Sequence, residues 1–268
     1  VLLKDKIVIV SGIGPGLGVK LAIEAAREGA AGVVAAARSA DKLDDAEKRV
    51  RAVNPNCKVL KIVTDITDRA QCDALVAATI KQFGRIDALV NSAFIHGEMD
   101  YVATAKLDDW AAVLGTNLIG TLKLTQAVLP QMQEQFKKTG VGGAIVMINT
   151  MAARQVPPLG EAGYAASKSA LANSAKYLAK EVGKDNIRVN SIHMGWMWGA
   201  PVQGYMEWQA SEHKVPMETL KAQVAASIPL GRIPTDDECA RAALFLVSDY
   251  ASAVTGAALD ANGGAYMP

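Results

Sequence analysis

Residues 7–18 read IVIVSGIGPGLG, an apolar run that passes directly into a turn of small residues. Four branched aliphatic residues in succession leave no polar face, so the run suits a strand buried on both sides, as in a parallel sheet. The segment that follows, 16–28, has helical spacing. Gly12, Gly16 and Gly18 permit a tight turn, close approach of backbone to a diphosphate and close helix packing. The amides at the helix start, Leu17 among them, can meet negative charge. Alone, such a turn is also a plain strand-to-helix connection. Pro15 narrows its geometry without excluding a ligand.

Working outward, short apolar runs recur at 32–36, 58–63, 86–91, 144–149, 188–193 and 257–260. Between them, helical spacing covers 41–53, 69–83, 107–138 and 164–181. This rhythm predicts an α/β fold: a doubly wound, mainly parallel Rossmann-type sheet with helices on both faces. No linker or composition break divides residues 1–268, so one domain is expected. The departure is 195–229, irregular and bulky, which is read as a lid over the substrate.

The 28 basic and 27 acidic residues nearly cancel, so no strong field recruits nucleic acid or an acidic membrane. Cys57, Cys72 and Cys239 are scattered, without metal-site or disulfide spacing, which favours a reducing compartment and a cytoplasmic location. No histidine and acidic cluster has metal-ligand spacing, and the start of the chain shows no signal-peptide or membrane-length pattern. Solubility, no metal, no nucleic acid and no membrane are the expectations.

Arg38 ends the second strand in AAAR, where an acidic residue would bind both ribose hydroxyls and an arginine can pair with a 2′-phosphate. NADP is thus favoured, with NAD as the alternative, since arginine can also stack on adenine or stay solvated. Asp65 in VTD, followed by Ile66, can accept from adenine or cap a helix; Asn91 in VNSA can brace the cofactor loop or simply shape a turn. Tyr164 and Lys168, in YAASK, share one helical face. An ordinary tyrosine, with a pKa of about 10, is a poor base at neutral pH. A lysine cation beside it favours phenolate, which makes Tyr164 the expected general acid or base for a hydride transfer.

The order of these motifs resembles the classical short-chain dehydrogenase/reductase family over essentially the whole chain. It comprises Gly12, Gly16 and Gly18; Asp65; the asparagine motif from Asn91 to Ala93; Asn117; Tyr164 with Lys168; RVNSI at 188–192; and TG followed by DANGG. The resemblance implies that Lys168 also holds the nicotinamide ribose and that Asn117 serves a water-linked proton relay. It implies, too, a homodimer or homotetramer built on the helices of 107–138 and 164–181. The family serine should stand thirteen residues before Tyr164, where this chain has Met151. A one-residue insertion would give its role to Thr150, whose hydroxyl can polarise a substrate oxygen; without one, Met151 leaves a weakened or non-catalytic site. The usual proline-glycine pair after the sixth strand is Met194-Gly195, and Gly195 is expected to reach the nicotinamide amide.

Trp196, Trp198 and Tyr205 in the lid supply broad apolar contact and, with Thr150 and Met151, are the expected substrate wall. A subunit contact could use the same aromatics. The expected activity is interconversion of a small hydrophobic secondary alcohol and its ketone, with a nucleotide-responsive, non-catalytic binding protein as the alternative.

Overall fold

The computed structural model describes residues 1–157 and 160–268. β1 (Ile7–Ser11) is buried at every position, as its uninterrupted apolar sequence requires, and it leads into α1 (Leu17–Arg27). β2 (Gly32–Ala37) is buried likewise, followed by α2 (Ala40–Val53), β3 (Lys58–Val63), α3 (Arg69–Phe83) and β4 (Ala88–Asn91). A helical run then holds α4 (Leu107–Leu114), a π-helical turn (Gly115–Gly120) and α5 (Thr121–Thr139). β5 (Ala144–Thr150), α6 (Ala162–Val182) and β6 (Arg188–Met194) come next. The chain closes with α7 (Ala200–His213), α8 (Met217–Ala226), α9 (Asp236–Val247) and β7 (Ala258–Ala261).

All seven strands are parallel, in the order β3-β2-β1-β4-β5-β6-β7. The chain winds outward from β1 to β3, then returns to β4 on the other side of β1. The strand ends at that reversal leave a crevice between diverging connections, where ligands of open α/β sheets bind. Val8, Val10 and Val33 face α1, α2 and α9, whereas Ile9, Leu89 and Ile145 face α3, α5 and α6. The expected fold class is therefore the observed one. β3 forms an edge, and its exposed Lys61 pairs with Asp44 and Glu47 of α2, charges that suit an unpaired strand.

Three local readings need correction. The run expected as one helix over 107–138 contains the π turn, within which the Asn117 side chain bonds the loop after β4. The lid carries two regular helices, α7 and α8, where irregular chain was expected. Its helices share a small core of Met206, Ile228 and Ile233 with surrounding aromatics. α9 had no place in the expected element list, although Thr235 and Glu238 form a reciprocal capping box that fixes its start.

Candidate active site

The crevice at the reversal is a cleft of about 460 Å³ running from the β1–α1 turn to Tyr164. Its floor depends on missing side chains. Gly12 has φ +93°, and a Cβ there would stand 2.3 Å from the Ala93 amide nitrogen; one at Gly18 would stand 2.1 Å from the Gly12 carbonyl oxygen. Gly14, by contrast, faces open space, and Gly16 lies against Pro201 of α7. Leu17, Ile66, Ala93 and Gly195 also line the cleft.

Arg38 and Lys42 line the far end, and Arg38 acts on Asp65 only at longer range. The Arg38 and Lys42 heads, to which no carboxylate is bonded among the described residues, beside backbone left bare by glycines, fit the phosphates of a dinucleotide. Asp65 lines the same end, but its Oδ1 accepts from the Thr67 hydroxyl (2.7 Å) and amide (2.9 Å), bonds that hold its carboxyl below the usual range. The cap of α3 is Asp68, so the helix-cap reading of Asp65 is not realised.

At the reactive end, β5 delivers Thr150 and α6 delivers Tyr164 and Lys168 to one wall. The spacing of four puts both α6 side chains on the same face. Lys168 is buried and donates from Nζ to the Ile148 carbonyl at 2.7 Å; burial pushes it down to about 7. Burial raises Tyr164 well above the usual phenol range, the nearby Glu161 carboxylate adds to this, and the Thr150 hydroxyl opposes it. Thr150 Oγ1 also accepts from the Ala152 amide at 3.2 Å. Met151 is absent from the cleft lining; its sulfur lies by Gly195. Of the two residues at the expected serine position, the hydroxyl-bearing one therefore faces Tyr164.

Other expected residues sit around the cleft without lining it. Asn91 is buried and donates from Nδ2 to Thr125 Oγ1 (3.1 Å), bracing β4 from beneath. Asn117, in the π turn, accepts from the Ile95 amide (2.8 Å) and donates to the Ile95 carbonyl (2.9 Å) and Ser167 Oγ (3.0 Å). It thereby ties the β4 loop to α6, an instance of a π turn at a candidate functional site. Trp196, Trp198 and Tyr205 pack around the small lid core, and the lid residues on the cleft are Met197, Pro201 and Val202. The expected aromatic wall is thus mostly lid interior. Lys42 and Phe94 escaped sequence reasoning, although Lys42 had a signal, four residues after Arg38; Met197, Pro201 and Val202 were expected only as part of the lid.

Comparisons with known proteins agree with this geometry. A family model described as enoyl-(acyl carrier protein) reductase matches residues 12–266. The 3-oxoacyl-(acyl-carrier-protein) reductase FabG of Thermotoga maritima is 35% identical over 98% of both chains. L-sorbose reductase from Gluconobacter frateurii, solved with NADPH and L-sorbose, superposes with TM-score 0.89 at 28% identity, covering 98% of this chain and 97% of that one. An NAD⁺-bound xylitol dehydrogenase gives 0.87 at 29%, covering 98% and 99%. With the fold, the glycine turn and the Tyr164–Lys168 wall in one cleft, the chain belongs to the classical short-chain dehydrogenase/reductase family of NAD(P)-dependent oxidoreductases.

Proposed function

We propose that the protein uses NADP to interconvert a hydrophobic secondary alcohol and its ketone, with Tyr164 as the acid or base. The carrying observation is that Thr150, Tyr164 and Lys168 share the cleft whose other end holds Arg38 and Lys42. When bound, the cofactor supplies or accepts the hydride. In reduction, Thr150 Oγ1 donates to the substrate oxygen, and Tyr164 Oη gives that oxygen a proton. In oxidation, the same phenol oxygen takes the proton back. Lys168, poised near neutrality by burial, places its charge beside the phenol and favours phenolate. Gly12, Gly16, Leu17, Gly18 and Ala93 admit the diphosphate; Arg38 and Lys42 meet the 2′-phosphate; Asp65 and Ile66 border the adenine; and Gly195 borders the nicotinamide. Asn117 acts in the proton relay by holding Ile95 and Ser167, and Asn91 supports the cofactor loop by bracing the strand beneath.

Phe94 lies against Tyr164, and Met197 and Val202 add apolar lining to the cleft, which supports a hydrophobic substrate. The protein is proposed to be cytoplasmic, with no nucleic-acid or membrane partner. Exposed Ile119 and Tyr177, on the π turn and α6, favour a homodimer or homotetramer. The test titrates NADPH and NADH separately by cofactor fluorescence, then screens hydrophobic ketones. Tighter NADPH binding and turnover are expected, with Tyr164→Phe lowering turnover by about a thousandfold while keeping fold and cofactor affinity. Tighter NADH binding would overturn the phosphate reading of Arg38, and a folded protein that binds neither would overturn the function.

A further inference from the structure

The loop after β4 and the segment leading into α6 meet over Tyr164. The His96 imidazole stacks on the Tyr164 ring, with centroids 4.8 Å apart and planes at 20°. His96 Nε2 lies 2.9 Å from Glu161 Oε2, and that carboxylate side chain is only 13% exposed. An ionised carboxylate only accepts, so Nε2 carries the proton and donates. The same two segments meet again where the Ala162 amide donates to the Asp100 carbonyl at 3.4 Å, and where Gly160 packs on Asp100 and Tyr101.

The hydride and proton transfers described above use neither His96 nor Glu161. Yet a carboxylate held three residues before a phenol disfavours phenolate, and it does so here alongside burial and against the Thr150 hydroxyl. The groups facing Tyr164 are Thr150 from β5, Lys168 from α6, Phe94 and His96 from the β4 loop, and Glu161. Only Glu161 brings a negative charge among them. Without an anchor, a glutamate at the head of a helix can turn into water; the hydrogen bond from His96 prevents this.

Resting on the proposed role of Tyr164 as acid/base, we propose that His96 and Glu161 are a positioning pair: the imidazole fixes the carboxylate, and the carboxylate makes Tyr164 hold its proton. The pair sets the site for delivering a proton to a substrate oxygen, the reductive direction, into alkaline solution.

The test replaces tyrosine with 3,5-difluorotyrosine, whose more acidic phenol titrates in an accessible range, and follows ¹⁹F resonances against pH. The Tyr164 signal is the one lost in Tyr164→Phe. Glu161→Gln should lower its midpoint by about half to one pH unit, three- to tenfold in ionisation constant. His96→Phe keeps an aromatic stack but cannot hold the carboxylate, and should shift the midpoint the same way by less. It carries the test if Glu161→Gln does not fold. In ketone reduction, the alkaline fall of kcat should move to lower pH in both variants. An unmoved midpoint with only a lower Tm would mean that the pair merely clasps two loops, and would overturn the proposal. The titration needs neither cofactor nor turnover, so failure to bind NADPH would strike the proposed function and leave this result standing.

Discussion

The β1–α1 turn and the lid of 195–229 both connect a strand end to a helix along the same edge of the sheet, and they are built in opposite ways. The turn is defined by side chains that cannot be present: a Cβ at Gly12 or Gly18 would collide with backbone, which cannot move aside. The lid is defined by side chains that are present, with Met206, Ile228 and Ile233 gathering Trp196, Trp198 and Tyr205 into a core of their own. A backbone constraint is nearly absolute and local, whereas a side-chain core is adjustable and can be loosened without disturbing the sheet.

Gly12→Ala is the most severe way to strain that contrast. The left-handed backbone and the 2.3 Å approach to Ala93 should cost about 3 kcal/mol of stability and most of the NADPH affinity, read by urea unfolding and fluorescence titration. If alanine is accepted silently, the turn is adjustable after all. Next comes the reactive wall. Thr150→Ala should lower turnover by about a hundredfold, the scale of losing one donor to the reacting oxygen, while Met151→Ala changes it little. The reverse pattern in kcat would return the role to the methionine position.

A smaller and more local effect is expected in the lid. Met206→Ala should cost about 2 kcal/mol within α7 and α8, seen as faster amide exchange there, with sheet amides and NADPH affinity nearly unchanged. Equal loosening of β1 would show that the two regions are one cooperative unit. Lys168→Met gives the most diagnostic signal. In the unfolded chain the lysine keeps its proton to about pH 10.4; folded, burial pushes it down to about 7. Between those values the unfolded state binds more protons, so wild-type stability rises with pH. The Tm advantage of Lys168→Met should be greatest below pH 7 and shrink as pH rises, as a pH series of thermal melts will show.

The strands were legible because burial on both faces leaves an unbroken apolar run, and β1, β2 and β5 carry little else. The glycine turn and the Tyr164–Lys168 pair were legible because spacing alone constrains them. Sequence favoured Thr150 over Met151 only by supposing a one-residue insertion, since the choice turns on where β5 ends and which side chain then faces the cleft. The lid aromatics misled for a related reason: a tryptophan that fills a small core and one that walls a pocket have the same composition. His96 and Glu161 lie 65 residues apart and meet only through two loops, so no local pattern announces them. α9 did carry a signal, Thr235 three residues before Glu238, which the strand-and-helix rhythm overshadowed.

The π turn that holds Asn117 also sets a phase. One wide turn between α4 and α5 means that the two helices present faces offset from those of a continuous helix. Deleting a single residue, Thr116 for example, would close the wide turn into an ordinary one, and Asn117, which stands within it, would lose the place from which it bonds Ile95. Point substitutions along this stretch can be absorbed one at a time, but its length cannot drift, because the core below and the candidate site above are read from the same winding.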